Sequence, residues 1–192
     1  MSRKILIYGN PILKQKSLPL EADTAQLRGF IDELAETLYR SDEGIGLAAP
    51  QVGELVRALV VDIDHISRDK RTNPKRRLQV FINPEIVWES EDDISYNEGC
   101  LSVPGIDGKI YRPQSLILRF RDLNFKEREI EADGLLARVL QHEIDHLNGT
   151  LFVDRLSFAQ RALLVGKLRN LRHEALKQDK NGAVENPDAP IL

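Results

Sequence analysis

A chain of 192 residues has the length of one domain and can bury a full hydrophobic core. With 42% hydrophobic and 30% charged residues its composition is globular, and a net charge of −3 argues against a general nucleic-acid-binding surface, so no DNA partner is expected. A single cysteine excludes an internal disulfide, and no apolar run is long enough for a signal peptide or a bilayer span, so a cytoplasmic protein with no membrane partner is expected.

Ile5–Tyr8 reads as a short apolar strand or extended segment running into a Gly-Asn-Pro turn. Thr24 to Arg40 carries Leu27, Phe30, Ile31, Leu34 and Leu38 at helical spacing, the pattern of an amphipathic helix covering a sheet. The stretch Gly44-Ile45-Gly46-Leu47-Ala48-Ala49-Pro50-Gln51-Val52-Gly53 is a small-residue loop that lets a backbone approach something closely; its spacing fits no phosphate loop. Arg57–Ile63 and Leu78–Ile82 read as buried strands. The basic run between them, Ser67 to Arg77, reads as a solvated loop with His65 as polar surface.

Asn83-Pro84 is expected to turn the chain into Glu85–Glu89, with Trp88 a core or edge aromatic. Asn97-Glu98-Gly99-Cys100-Leu101-Ser102-Val103-Pro104-Gly105 reads as a tight turn off a strand. Ile110–Arg112, Ser115–Arg121 and Glu127–Ala132 continue the β pattern, the last two joined as a hairpin through Asp122–Lys126. A helix follows, capped by Asp133 and terminated near Gly149. Thr150–Arg155 is expected to be extended, Phe158 to about Lys177 a last, basic helix, and 181–192 a loose tail beyond a single domain spanning 1–180. Strands segregated around a helix give an α+β class.

The chemistry concentrates in Gln141-His142-Glu143-Ile144-Asp145-His146-Leu147. Histidines four apart share a helix face about 5–6 Å apart and reach one metal ion. Their bisector lies about 80° from Glu143 and about 80° from Asp145, so angle alone does not choose a base. Glu143 has the longer reach and is assigned the proton transfers, with Asp145 an orienting acceptor. A third ligand must come from elsewhere: the position where one protease group places a histidine is Phe152, and Glu174 lies in a charged segment, which leaves Cys100.

Together, Gly44–Gln51, Glu98–Ser102 and Gln141–Leu147 resemble the motifs of the peptide deformylase family, in its order and approximate spacing, and the resemblance covers roughly Ile5 to Arg155. It implies antiparallel sheets around the motif helix, with helices at both ends. It also implies one divalent metal, usually iron(II) with zinc, nickel or cobalt as substitutes, on Cys100, His142 and His146. Glu143 would be the acid–base residue, and the Gln51 side chain and Leu101 N–H the oxyanion donors. Ile45, Gly46 and Gly99 would pair with the main chain of an N-formyl-methionyl nascent peptide. The basic last helix is expected to make a weak contact with the ribosome. Many relatives carry arginine seven positions after the motif cysteine, whereas this chain has Asp107; Arg112 is expected to be structural and to face Asp145.

Overall fold

Thr24 opens the first helix by accepting the Leu27 amide on its hydroxyl at 3.1 Å, and α1 runs Ala25–Arg40. The computed structural model describes residues 2–66 and 76–181, so most of the basic run and the tail lie outside the described residues. From the end of that run, Arg76 pairs with Glu36 and lies over the Tyr39 ring, while Arg77 pairs with Asp64.

The strands are β1 (Gly46–Ala48), β2 (Ala58–Val61), β3 (Gln79–Glu89), β4 (Asp93–Gly99), β5 (Asp107–Pro113), β6 (Ser115–Arg121) and β7 (Glu127–Asp133). Helices α2 (Gly134–Leu147) and α3 (Phe158–Asn181) complete the described chain. Five strands form an antiparallel sheet in the order β1-β2-β3-β6-β7, and β4 pairs with β5 as a separate antiparallel hairpin. The class is α+β, with the His-Glu-x-x-His motif on α2.

Strand alternation explains why β2 is apolar throughout. Ala58 and Val60 join the α1 residues Leu27, Ile31, Leu34 and Leu38 in one core, whereas Leu59 and Val61 face the α2 residues Ala137, Leu140, Ile144 and Leu147 in another. Burying each such side chain stabilises by about 1.5–3 kcal/mol. A third cluster, with Val103, Ile106, Ile110 and Phe152, receives α3 through Leu168 and Leu171.

Several expectations change. Asn83-Pro84 does not turn the chain: β3 runs straight through, with a register shift between Ile82 and Glu85 and Asn83 at φ 49°. The Asn83 amide binds both the N–H and the C=O of Leu20, and a proline, which cannot donate to a ladder, falls within the bulge. Trp88 is not in the core; it is 51% exposed on the half of β3 that pairs with β6 alone, which makes it an edge aromatic. His65 is buried rather than surface, its Nε2 2.9 Å from the Ser41 carbonyl and its ring edge-on to Tyr39. Thr150–Arg155 is not extended throughout, because Phe152–Asp154 forms a 3-10 turn with Asp154 accepting the Leu151 amide at 2.8 Å. Asp133 does occupy the α2 cap, but its side chain makes no capping bond.

The small-residue stretch is more ordered than a loop. It comprises β1 and a 3-10 turn over Ala49–Val52. The N-terminal segment is extended, and it joins the two motif loops: Leu6 N–H donates to Gln51 C=O at 2.8 Å and Tyr8 N–H to Ser102 C=O at 2.7 Å.

Candidate metal centre and active site

Every α2 side chain from Ala137 to Leu147 is buried, although six of those eleven, Arg138, Gln141, His142, Glu143, Asp145 and His146, carry polar or charged groups. Buried polar groups of this kind require partners. Which of them find one, and which do not, defines the site.

His142 and His146 share the face turned towards the β4–β5 turn, with ring centroids 5.1 Å apart. The turn, closed by Val103 N–H on the Cys100 carbonyl at 2.9 Å, brings the thiol to them. One ligand atom from each of Cys100, His142 and His146 lies within 4.8 Å of the others, and Cys100 Sγ is 3.2 Å from His146 Nε2. His142 Nδ1 is 2.9 Å from Glu98 Oε2, which leaves its Nε2 for the centre. His146 Nδ1 is buried with no hydrogen-bond partner among the described residues. One thiolate and two imidazoles match the donor set of a first-row divalent metal, so the residues fit the group.

Glu98 is the functional residue that sequence reasoning missed. It accepts from Arg112 Nε at 2.7 Å and Nη2 at 2.9 Å, from Arg138 Nη1 at 3.0 Å, and faces His142. The only signal was its place two residues before the cysteine; in the β4–β5 register it stands opposite Gly108, on the same hairpin face as Arg112, whose long side chain reaches it. Burial acts to raise the Glu98 carboxyl, but hydrogen bonds from Arg112 and His142 outweigh it and hold it well below the usual carboxylate range. Arg112 does face Asp145, at 2.7 Å, and Arg155 binds the same carboxylate. That pairing separates the two acids: Asp145 is turned away from the cavity, whereas Glu143 lines it.

Burial pushes the Glu143 carboxyl up to about 7, with further upward pressure from Glu98 against the lowering effect of His142. Its Oε2 is buried with no hydrogen-bond partner among the described residues. Glu143 lies directly over β1, where a Cβ on Gly46 would stand 2.6 Å from its Oε1 and 2.8 Å from Val139. Glycine at 46 is therefore what lets α2 and β1 come together.

Gln51 Oε1 accepts the Ala48 amide at 2.8 Å, which fixes the orientation of its side-chain amide. Its Nε2 then points to Ser102 Oγ at 3.2 Å and to Cys100 Sγ at 3.7 Å. The Ile45 carbonyl accepts from Asp62 N–H on the β2 side, so strand alternation turns the N–H and C=O of Gly46 to the open edge of the sheet.

These groups line one cavity of about 390 Å³. Glu143, Gln51, Leu101, Ile45, Gly46, Gly99, Cys100 and His142 all reach it, and His146 closes the metal site from behind. Phe152, buried and stacked on His142 at 6.2 Å, supports that ring. Glu174 is exposed on α3 and takes no part.

Comparison with known proteins agrees with this geometry. Residues 2–162 match the family model described as polypeptide deformylase. A peptide deformylase of Salinibacter ruber is 44% identical over 179 residues, covering 91% of each chain. One of Chlorobium limicola is 48% identical over 157 residues, 82% of each. A plant peptide deformylase crystal structure superimposes with a TM-score of 0.83 at 32% identity, over 97% of this chain and 96% of that one. Reaching nearly end to end in both sequence and structure, these likenesses show that the chain belongs to the polypeptide deformylase family.

Proposed function

We propose that the enzyme removes the formyl group from the N-terminal formyl-methionine of nascent polypeptides, with Cys100, His142 and His146 holding one divalent metal ion and Glu143 moving the protons. The observation that carries this reading is the convergence of one thiol and two imidazoles on a point flanked by a buried, unpartnered carboxylate, at the floor of a cavity beside an open strand edge.

The metal, when bound, supplies a water acidified towards neutrality and a Lewis acid for the formyl oxygen. Iron(II) is the ion we favour, with zinc, nickel and cobalt as substitutes; an S,N,N donor set suits all four. Glu143 accepts a proton from the attacking water, whose oxygen bonds to the formyl carbon. Burial raises the Glu143 carboxyl, and a cation held on the neighbouring ligands would lower it again and keep it ionised as the base. The Gln51 Nε2–H and the Leu101 backbone N–H stabilise the negative charge on the former carbonyl oxygen. The C–N bond then breaks, formate departs, and Glu143 gives its proton to the new methionine amine. The Gly46 edge and Gly99 pair with the peptide main chain, while Ile45, whose main chain is turned to Asp62 on the β2 side, contributes its side chain.

Residues 1–180 form the catalytic domain in this reading. No helix among the described residues is long and apolar enough to cross a membrane. A substrate emerging from the ribosome places the activity in the cytoplasm. The exposed cations Arg161, Lys167, Arg169, Arg172 and Lys177 make α3 the surface for a weak ribosome contact. Because Leu168, Leu171 and Ala175 are buried, that contact is tested by replacing Lys167, Arg169 and Lys177 with glutamine rather than by deletion. Co-sedimentation with ribosomes at low salt should fall; unchanged binding would rule it out.

The function itself is tested by formate release from formyl-Met-Ala-Ser, using protein purified anaerobically with iron(II) or reconstituted with nickel. Folded, metal-loaded protein that released no formate would overturn the assignment.

A further inference from the structure

His65 is a buried imidazole that neither lines the cavity nor belongs to the metal centre. It stands in the turn after β2, where its N–H donates to the Asp62 carbonyl at 3.1 Å. Its ring is held edge-on to Tyr39, in the last turn of α1, with centroids 5.0 Å apart. Tyr39 in turn donates its hydroxyl to Asp62 Oδ2 at 2.8 Å, so the ends of α1 and β2 form one fastened unit.

What this unit grips is the segment from Ser41 to Ile45, which carries the chain from α1 into β1. His65 Nε2 lies 2.9 Å from the Ser41 carbonyl. A carbonyl can only accept, so the contact places a proton on Nε2 and makes His65 the donor. Ser41 Oγ accepts the amides of Glu43 at 3.2 Å and Gly44 at 3.0 Å, which folds the segment back onto the residue that His65 holds. One residue further on, the Ile45 carbonyl accepts Asp62 N–H at 2.9 Å.

The grip reaches two working parts of the site. The segment ends where the Gly46 edge begins, and Gly44 packs so closely on Leu101 that a Cβ there would stand 2.7 Å from its Cδ1. A strand edge fixed before the substrate arrives binds a peptide without the cost of ordering it, whereas a loose one charges that cost to each binding event.

We propose that His65 is a positioning residue for substrate, which through the Ser41 carbonyl holds the Ser41–Ile45 segment, and with it the Gly46 edge, where a formylated peptide needs it. This rests on the deformylase reading above and adds a support that lies outside the cavity.

The test compares metal-loaded His65→Phe, His65→Gln and Ser41→Ala with the unmodified chain. Phenylalanine keeps a ring against Tyr39 but cannot donate, whereas the glutamine amide restores a donor for the Ser41 carbonyl. With formyl-Met-Ala-Ser, KM should rise about 3–10-fold in His65→Phe and in Ser41→Ala while kcat is unchanged, and His65→Gln should return towards the unmodified value. Formyl-methionine, which has little main chain to pair with the edge, should be affected less. Hydrogen exchange in residues 41–48 of the substrate-free protein should be about tenfold faster in His65→Phe and slow again in His65→Gln. An unchanged KM in both His65→Phe and Ser41→Ala, or a loss shared equally by the two substrates that glutamine does not repair, would overturn the proposal and leave the deformylase reading intact. Should His65→Phe not fold, Ser41→Ala decides by the same measurements. Absence of formate from the unmodified, metal-loaded chain would overturn both.

Discussion

At the scale of single residues, the account places proton transfer on Glu143 and a steric requirement on Gly46. Glu143→Gln keeps the shape and removes the base, so formate release should fall by about 10²–10⁴-fold while metal content stays at the wild-type level. A loss of metal in that variant would instead make Glu143 a ligand. Gly46→Ala forces a methyl group into the space of the Glu143 carboxylate and Val139. Overpacking of this kind costs about 1–3 kcal/mol, and here it also displaces the base. A thermal melt with steady-state kinetics should show kcat reduced by more than tenfold; an unaltered kcat would mean that the contact between α2 and β1 is slack. The histidine pair was legible in the sequence because metal-ligating types at helical spacing are uncommon, and Cys100 followed as the remaining candidate ligand. The choice between Glu143 and Asp145 was settled by reach alone, and the structure supplies the stronger reason: Arg112 and Arg155 occupy Asp145.

Between elements, one buried network bolts the β4–β5 hairpin to α2. Glu98 on β4 meets Arg112 on β5 and Arg138 and His142 on α2, and Arg112 goes on to Asp145. Glu98→Ala leaves Arg112 with one acidic partner and Arg138 with none among the described side chains. Removing one side of a buried ion pair costs about 3–5 kcal/mol, and losing the partner of a metal-binding imidazole weakens metal affinity by about 10–100-fold. Urea unfolding of the metal-free protein and a competitive metal titration measure the two effects separately; a variant unchanged in both would remove Glu98 from the account. No periodicity announced this network, because it depends on strand register: Ile94 opposite Arg112 and Gly99 opposite Asp107 are facts of pairing. The same limit explains β3, where Asn83-Pro84 looked like punctuation and is a bulge anchored to Leu20. Helix α1 was readable to its cap, since Thr24 and the spacing of Leu27, Ile31, Leu34 and Leu38 are local signals.

Across the whole molecule, three stretches remote in the chain meet because a sheet and a hairpin clasp one buried helix. The N-terminal segment then ties the Gln51 and Ser102 loops together. Metal binding should therefore stabilise the whole fold: at a free metal concentration of 100 times Kd the gain is about 2.7 kcal/mol, read as a rise in Tm that a chelator reverses. A Tm indifferent to metal would mean that the site is not coupled to folding. Composition points to a globular domain and the motifs to the family, but the meeting of the β1 edge and the β4–β5 turn at one cavity is visible only in the structure. The most direct measurement is metal-edge X-ray absorption on anaerobically prepared protein, compared with Cys100→Ser. One metal per chain should show a shell of one sulfur and two imidazole nitrogens, and the sulfur should vanish in the variant. A shell without sulfur in the unmodified protein, at full formate release, would contradict the account.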